Sequence, residues 1–474
     1  MRAFLFDRAG EVLDSGSHAY DTAYPQPGWA EQRPEDWIDA VRGSVKAALS
    51  GAAGADVAGL CAATTSCTVV CCDGDGNALA PAILWMDVRA SAQMYAVLEQ
   101  TGQSISAETF LCKALWIKEN RPDLWASTRV LCEYQDYLNH WLTGEWCFSA
   151  NTACNWGYNN RKKSFDLDFL RAVGLEDMTD KVPARAVSAG EVVGALTAEA
   201  ARALGLPAGI PVVQGGIDSS IGMLGMGTVR PGSLSLMTGS SNLAMAVTEE
   251  PLFVSADAVN SGPDFLLPGY YTSVQGQAAS GSVLRWFRRE FCKDLGMDCL
   301  PELDRAAQAV PSGSGGVLLL DYWQGNRCPH NDPDASGVIA GITMNTTREQ
   351  IYRAVLEGVA YGTRDVLDAF AQKGYPVEKI NVSGGFTRSE IFMQIYADVC
   401  GVPLLVTSDH SVALGAAILT AYALGWHPSI PEAADAMVRC RRVVFPDEAA
   451  RAVYDEGFRR YKGLYRGLKN EKIF

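Results

Sequence analysis

Asp218 stands two residues after a glycine pair, in Val212-Val213-Gln214-Gly215-Gly216-Ile217-Asp218-Ser219. Glycines let a backbone turn sharply and let a ligand come close, because no Cβ excludes it. An acid at the helix start after such a turn either caps the helix, a place Asp favours, or faces whatever the turn admits; the stretch alone supports both. The pattern returns in Val382-Ser383-Gly384-Gly385-Phe386-Thr387-Arg388-Ser389. Strand, Gly-Gly and polar helix start recur, so two related α/β halves with glycine turns facing one cleft are expected. In the second half the turns Gly239-Ser240-Ser241, Gly276 to Gly281 and Gly384-Gly385 can offer backbone N–H groups and hydroxyls to phosphates, as nests and helix N-termini do. One such turn is a weak signal, since most Gly-rich turns only turn. Three of them in one half, with a Gly-Gly-x-Asp in the other, are a better one.

Other chemistries lack their motifs. The chain has no G-x-x-x-x-G-K-[ST], G-x-G-x-x-G, G-x-S-x-G or H-E-x-x-H, which leaves P-loop, Rossmann, α/β-hydrolase and zincin readings without support. Its 13 cysteines form no C-x-x-C pair and its five histidines are scattered, so no zinc spacing appears. Reduced thiols in a cytoplasmic protein fit this usage, with Cys71-Cys72 as strand filler. A formal charge of −14 argues against nucleic acid or an anionic membrane as the main partner. It also means that an anionic nucleotide needs local dipoles and a metal. The apolar run at Met1 is too short for a signal peptide, and Ala413 to Trp426 falls short of the roughly 18 residues a span requires. A small-molecule ligand is expected, with the assembly left open, a homodimer included.

The elements that must hold these turns follow from periodicity and punctuation. Phe4 to Leu13 and Thr68 to Trp85 read as hairpins around Asp7-Arg8-Ala9-Gly10 and Asp73-Gly74-Asp75-Gly76. Pro34 and two acids open a helix with Trp37, Val41, Val45 and Leu49 as its apolar stripe. Helices are expected around Ala107 to Glu119, Tyr134 to Leu142 and Thr197 to Leu204, the last two stopped by Gly144 and Gly205. They would cover a mixed sheet. In the second half, strands at Leu234 to Met237 and Leu243 to Val247 flank the Gly239 turn. A strand is expected near Tyr271 to Val274, followed by a Gly-rich loop into a helix. A long helix starts at the Thr347 to Gln350 capping box. The boundary falls at Gly227, giving domains 1–227 and 228–474.

Five stretches in order carry a resemblance: Tyr24 to Trp37, Ile83-Leu84-Trp85-Met86-Asp87-Val88-Arg89-Ala90, Gly215 to Asp218, Ser383 to Ser389, and Ala413-Leu414-Gly415-Ala416-Ala417. Together they resemble the successive signatures of the FGGY carbohydrate kinases over nearly the whole chain. The resemblance implies two RNase-H-like domains of the actin and hexokinase superfold around a central cleft that closes on sugar and Mg2+-bound ATP, the first domain binding sugar and the second the nucleotide. It implies that Asp218 is the general base for the attacking sugar hydroxyl. Trp85 would lie against the sugar's carbon face, and Thr65 and Ser66, in the Thr64 to Cys67 turn, would border the same pocket. Gly239 and Ser240 would meet the transferred phosphates, Gly281 would start the connecting helix, and Gly384, Gly385 and Ser389 would form the adenosine site. Leu320 to Arg327 and Cys154-Asn155-Trp156-Gly157-Tyr158 resemble the ribulokinase-like branch more than the glycerol kinases, which implies a ketopentose or related polyol as substrate.

Members of that family open with a strand carrying D-x-G-T, which helps hold metal and phosphate, ahead of a strand-turn-strand like Phe4 to Leu13. This sequence begins at the second strand. The expectation is an earlier start in the reading frame; the alternative is a non-catalytic relative that binds sugar or nucleotide. An actin-like filament protein shares the superfold but lacks the Gly-Trp-x-Glu-Gln and Trp-x-Asp-x-Arg stretches.

Overall fold

A computed structural model describes residues 1–52, 56–253, 259–261, 263–296 and 299–474. The chain divides into two compact units. The first holds Met1–Gly225, Ser261–Tyr270 and Val412–Met437, and the second holds Met226–Asn260, Tyr271–Ser411 and Val438–Phe474.

The first unit opens with strands β1 (Arg2–Phe6) and β2 (Val12–Ser17), paired antiparallel. Asp7 sets the turn between them, its Oδ1 accepting from the N–H groups of Ala9 and Glu11, both at 2.9 Å. Helix α1 (Pro34–Ser50) has the expected proline and acids in its first turn. It buries Trp37 completely, stacked 3.8 Å from Tyr134. Next come β3 (Leu60–Cys61), β4 (Val69–Cys72), β5 (Ala82–Ile83), α2 (Phe110–Asn120), β6 (Val130–Glu133) and α3 (Tyr134–Thr143). They are followed by β7 (Val192–Ala195), β8 (Pro211–Val213) and α4 (Asp218–Gly225).

The mixed sheet expected here is divided into smaller ones. β3 is two residues long and joins β8 and β7 in one sheet, while β5, β4 and β6 join the strand Glu31–Gln32 in another. Among the described residues β1 bridges only to β2. In β4 the alternation of a strand sends Cys71 into one apolar cluster with Val69 and Ile83 and Cys72 into another with Val70 and Ala82. Both thiols are therefore core filler, as their sequence suggests.

The second unit is built on strands β9 (Ser233–Thr238), β10 (Asn242–Thr248) and β11 (Tyr271–Gln277) and helix α5 (Gly281–Phe291). Helix α6 (Arg348–Gln372), β12 (Lys379–Gly384), α7 (Glu390–Cys400), β13 (Leu404–Val406), β14 (Arg442–Val444) and α8 (Glu448–Asn470) complete it. The strands form one seven-stranded sheet in the order Val259–Ser261, β11, β10, β9, β12, β13, β14. Thr347 and Gln350 close a reciprocal capping box at α6, with bonds of 2.9 and 3.3 Å. One expectation fails: Gln275 to Gln277 continue β11, because each pairs with β10 instead of looping.

Candidate active site

In the first unit, parallel pairing of β8 with β3 sets Val212 against Leu60 and Val213 against Cys61, so the two strands end at one level. The chains beyond them stay joined. The Thr64 N–H donates to the Gly216 carbonyl at 3.1 Å, and the Asp218 N–H donates to the Thr64 carbonyl at 2.8 Å. The glycine pair is needed for this approach, since a Cβ on Gly215 would strike the Ala62 carbonyl and one on Gly216 the Asn151 side chain. Asn151, fully buried, accepts from the Ile217 N–H at 2.8 Å and donates to the Phe265 carbonyl at 2.9 Å. Thus the Thr64 to Cys67 turn and the start of α4 lie side by side.

Asp218 is the first residue of α4 and is half-buried. Its Oδ1 accepts from the Ser219 N–H at 2.7 Å. Among the described residues Oδ2 has no hydrogen-bond partner. Burial raises the carboxyl above its ordinary value, and the Ser219 N–H opposes this. A half-buried carboxylate with a committed oxygen and an open one can accept a proton from a bound hydroxyl.

The Thr64 to Cys67 turn is tightly held. Thr65 shares a hydroxyl contact with Thr68 at 3.2 Å, and Ser66 Oγ accepts from Asn155 Nδ2 at 3.0 Å. Cys67 adopts φ +59°, unusual for a residue with a side chain. Its N–H donates to Glu133 Oε2 at 3.0 Å, and its carbonyl accepts from Lys113 Nζ at 2.8 Å. Trp85 is not a core tryptophan: its side of the β5 exit leaves it 45% exposed. Asp87 and Arg89 of the same motif are spent internally. Arg89 pairs with Asp87 at 2.7 Å and Glu31 at 2.8 Å and lies 3.8 Å over the Trp29 ring.

In the second unit, β9 and β12 pair parallel from Ser233↔Lys379 to Thr238↔Gly384, so the Gly239 and Gly384 turns emerge together. Gly384 has φ +108°, and a Cβ there would strike the Thr238 carbonyl. At Gly385 nothing lies within 4 Å of where a Cβ would be. The antiparallel match Asn242↔Gln277 brings the start of α5 to the same edge. There the N–H groups of Ser280, Gly281 and Ser282 are already used by the Ser240 and Gly239 carbonyls at 3.0 to 3.1 Å. What remains toward solvent is the exposed Gly239-Ser240-Ser241 turn. Among the described residues the Ser240 and Ser241 N–H groups have no acceptor. Arg285 Nη2 donates to Ser240 Oγ at 2.7 Å. Ser389 caps α7 by accepting from the Phe392 N–H at 3.2 Å.

Thr65, Ser66, Trp85 and Asp218 thus share the first unit, and Gly239, Ser240, Gly281, Gly384, Gly385 and Ser389 share the second. Sequence reasoning missed Lys113, Glu133, Asn151 and Arg285. A lone polar residue in an apolar helix carries no motif. The one available signal was the polar run Glu133, Gln135, Asp136 and Asn139 at the start of the helix expected over Tyr134 to Leu142.

Residues 1–225 match the N-terminal domain model, and residues 234–424 the C-terminal domain model, of the FGGY family of carbohydrate kinases. The chain is 31% identical to a ribulokinase of Geobacillus thermodenitrificans, over 93% of this chain and 86% of that one. It is 26% identical to a xylulose kinase of Staphylococcus epidermidis, over 99% and 95%. A crystal structure of xylulose kinase from Rhodospirillum rubrum superposes with a TM-score of 0.87 at 29% identity, covering 99% of this chain and 96% of that one. With both domain models matched and the two-domain actin and hexokinase-like fold in place, the chain belongs to the FGGY family of carbohydrate kinases.

Proposed function

We propose that this sugar kinase transfers the γ-phosphoryl group of ATP to a hydroxyl of a ketopentose, ribulose-like or xylulose-like, or a related polyol. The ribulokinase and xylulose kinase relatives support that substrate class. Asp218 is the general base. The sugar hydroxyl gives its proton to Oδ2, its oxygen forms the new bond to phosphorus, and the bond from phosphorus to the bridging oxygen breaks to release ADP. Residues 1–227 form the sugar side, with Trp85 under the carbon face and Thr65 and Ser66 at the hydroxyls. Residues 228–474, apart from 261–270 and 412–437 of the first unit, form the nucleotide side.

The nucleotide residues fit their ligand: the open N–H groups of Ser240 and Ser241 and the Arg285 guanidinium suit phosphate, and the space at Gly385 suits a close ligand. Gly384 and Ser389 border that space, and Gly281 fixes the start of α5. Among the described residues no group of three or more His, Cys, Asp or Glu could cage an ion. Mg2+ would enter with the phosphates it accompanies, its usual manner.

The observation that carries the reading is the half-buried Asp218 carboxyl, one oxygen held by Ser219 and the other without a partner among the described residues. Asp218→Asn should keep the fold and lower kcat by about 10²–10⁴, measured as ATP-dependent phosphorylation of ribulose and xylulose. A variant that keeps more than about a tenth of the activity would remove Asp218 from this role.

A further inference from the structure

Lys113 lies on α2 with no exposed surface. A buried ammonium group is costly unless its donors are satisfied, and here each of its three protons has a backbone partner. Nζ donates to the Cys67 carbonyl at 2.8 Å, the Leu84 carbonyl at 2.7 Å and the Trp85 carbonyl at 3.2 Å. The first partner lies in the Thr64 to Cys67 turn, and the other two lie in the segment that carries Trp85. One side chain thus joins two stretches about which the chain itself, 17 residues apart between Cys67 and Leu84, gives no fixed relation.

The other face of the Cys67 peptide is held by Glu133, whose second oxygen accepts from Trp156 Nε1 at 2.6 Å. Cys67 therefore sits in its left-handed conformation with both its N–H and its carbonyl bonded to buried ionisable side chains. A non-glycine residue in that region is strained and persists where its surroundings over-determine it. Core packing alone does not call for this. A lysine reaching three carbonyls at the expense of its own desolvation suits a place where position matters more than stability.

We infer that Lys113 is a positioning residue for the sugar: it sets Thr65 and Ser66 and the Trp85 segment at a fixed separation, with Glu133 clamping the opposite face of the turn. The inference rests on the reading of Thr65, Ser66 and Trp85 as sugar contacts. It adds that sugar affinity depends on a residue that touches no sugar.

The test is steady-state kinetics on the full chain, with sugar and ATP varied separately. Lys113→Met keeps the length of the side chain and removes its donors. It should lower kcat/KM for the sugar by about 100-fold, as misplacement on the order of an ångström does, mainly through the sugar KM. The KM for ATP should stay within about twofold. Glu133→Gln, which retains one acceptor, should change the sugar KM in the same direction by about tenfold. A Lys113→Met protein that folds and keeps the wild-type sugar KM overturns the inference. If Lys113→Met does not fold, Glu133→Gln decides: a raised sugar KM with unchanged ATP KM supports it, and an unchanged sugar KM overturns it. Equal rises in both KM values would mark a general loss of structure and also overturn it. Trp85→Ala is run beside them: if it leaves the sugar KM unchanged, the placement of the sugar has failed, and not the role of Lys113.

Discussion

Asp218 keeps its proton more readily than a carboxyl in water, because burial disfavours the charged form and one N–H from Ser219 offsets only part of that. The base must be ionised to accept a proton, so activity should rise as pH rises through its pKa. The acid limb of kcat/KM is therefore expected to break above the ordinary value of 3.8, and Asp218→Asn should abolish the break along with most of the rate. A break at or below 3.8 would contradict the burial argument. At this scale the sequence was informative where chemistry comes with punctuation. Asp218, Gly384 and Trp85 stand beside glycines or within a signature, and that local setting is what singles them out. Lys113 and Asn151 were unreadable, since their meaning lies in carbonyls many residues away.

At the scale of elements, the junction of β6 and α3 concentrates buried acid. Glu133 is pushed up to about 8 and Asp136 up to about 7, each by burial first. Trp156 and Cys67 hold down the one, and the Glu133 and Ser149 N–H groups the other. The ordinary values are 4.5 and 3.8. Raised folded values mean that the folded chain holds protons which the unfolded chain has lost. The resulting stability is complete below the ordinary values and is lost as pH rises through the folded ones. Thermal unfolding should show a lower Tm at about pH 8 than at about pH 5, and Glu133→Gln should narrow that difference. Parallel curves for the two proteins would refute the assignment. The elements themselves were well anticipated: the Asp7 and Gly239 hairpins and the Thr347 capping box all have local causes. The end of β11 was misread because Gly276 suggested a loop, whereas pairing with β10 is a decision made across the sheet.

At the scale of the whole molecule, the first unit is assembled from three separate stretches of chain. Residues 412–437 bring Gly415 against the Ile221 carbonyl, Trp426 beneath the Arg8 guanidinium at 4.3 Å, and Met437 against Gly10. Residues 261–270 supply the Phe265 carbonyl that orients Asn151 and the Asp264 carboxylate paired with Arg161 at 3.0 Å. No local pattern announces this, because an apolar helix near the end of a chain looks the same wherever it docks. A protein comprising residues 1–225 alone should therefore lack cooperative thermal unfolding, and adding residues 412–437 as a separate peptide should restore part of it. A sharp calorimetric transition in the short form would show the later segments to be dispensable.

The same three-part build sets a timetable for synthesis. Residue 225 leaves the ribosome 212 residues before residue 437 does (437 − 225 = 212), and at 5–20 residues per second that interval is about 10–40 s. During it the nascent first unit has made Ile221 and Gly10 but not the two helices, Ser411–Ala423 and Ile430–Met437, that pack against them. The stretch that will carry the proposed base waits, incompletely covered, until residues 412–437 have been made. Chaperone dependence should accordingly be set by the slow arrival of residues 412–437.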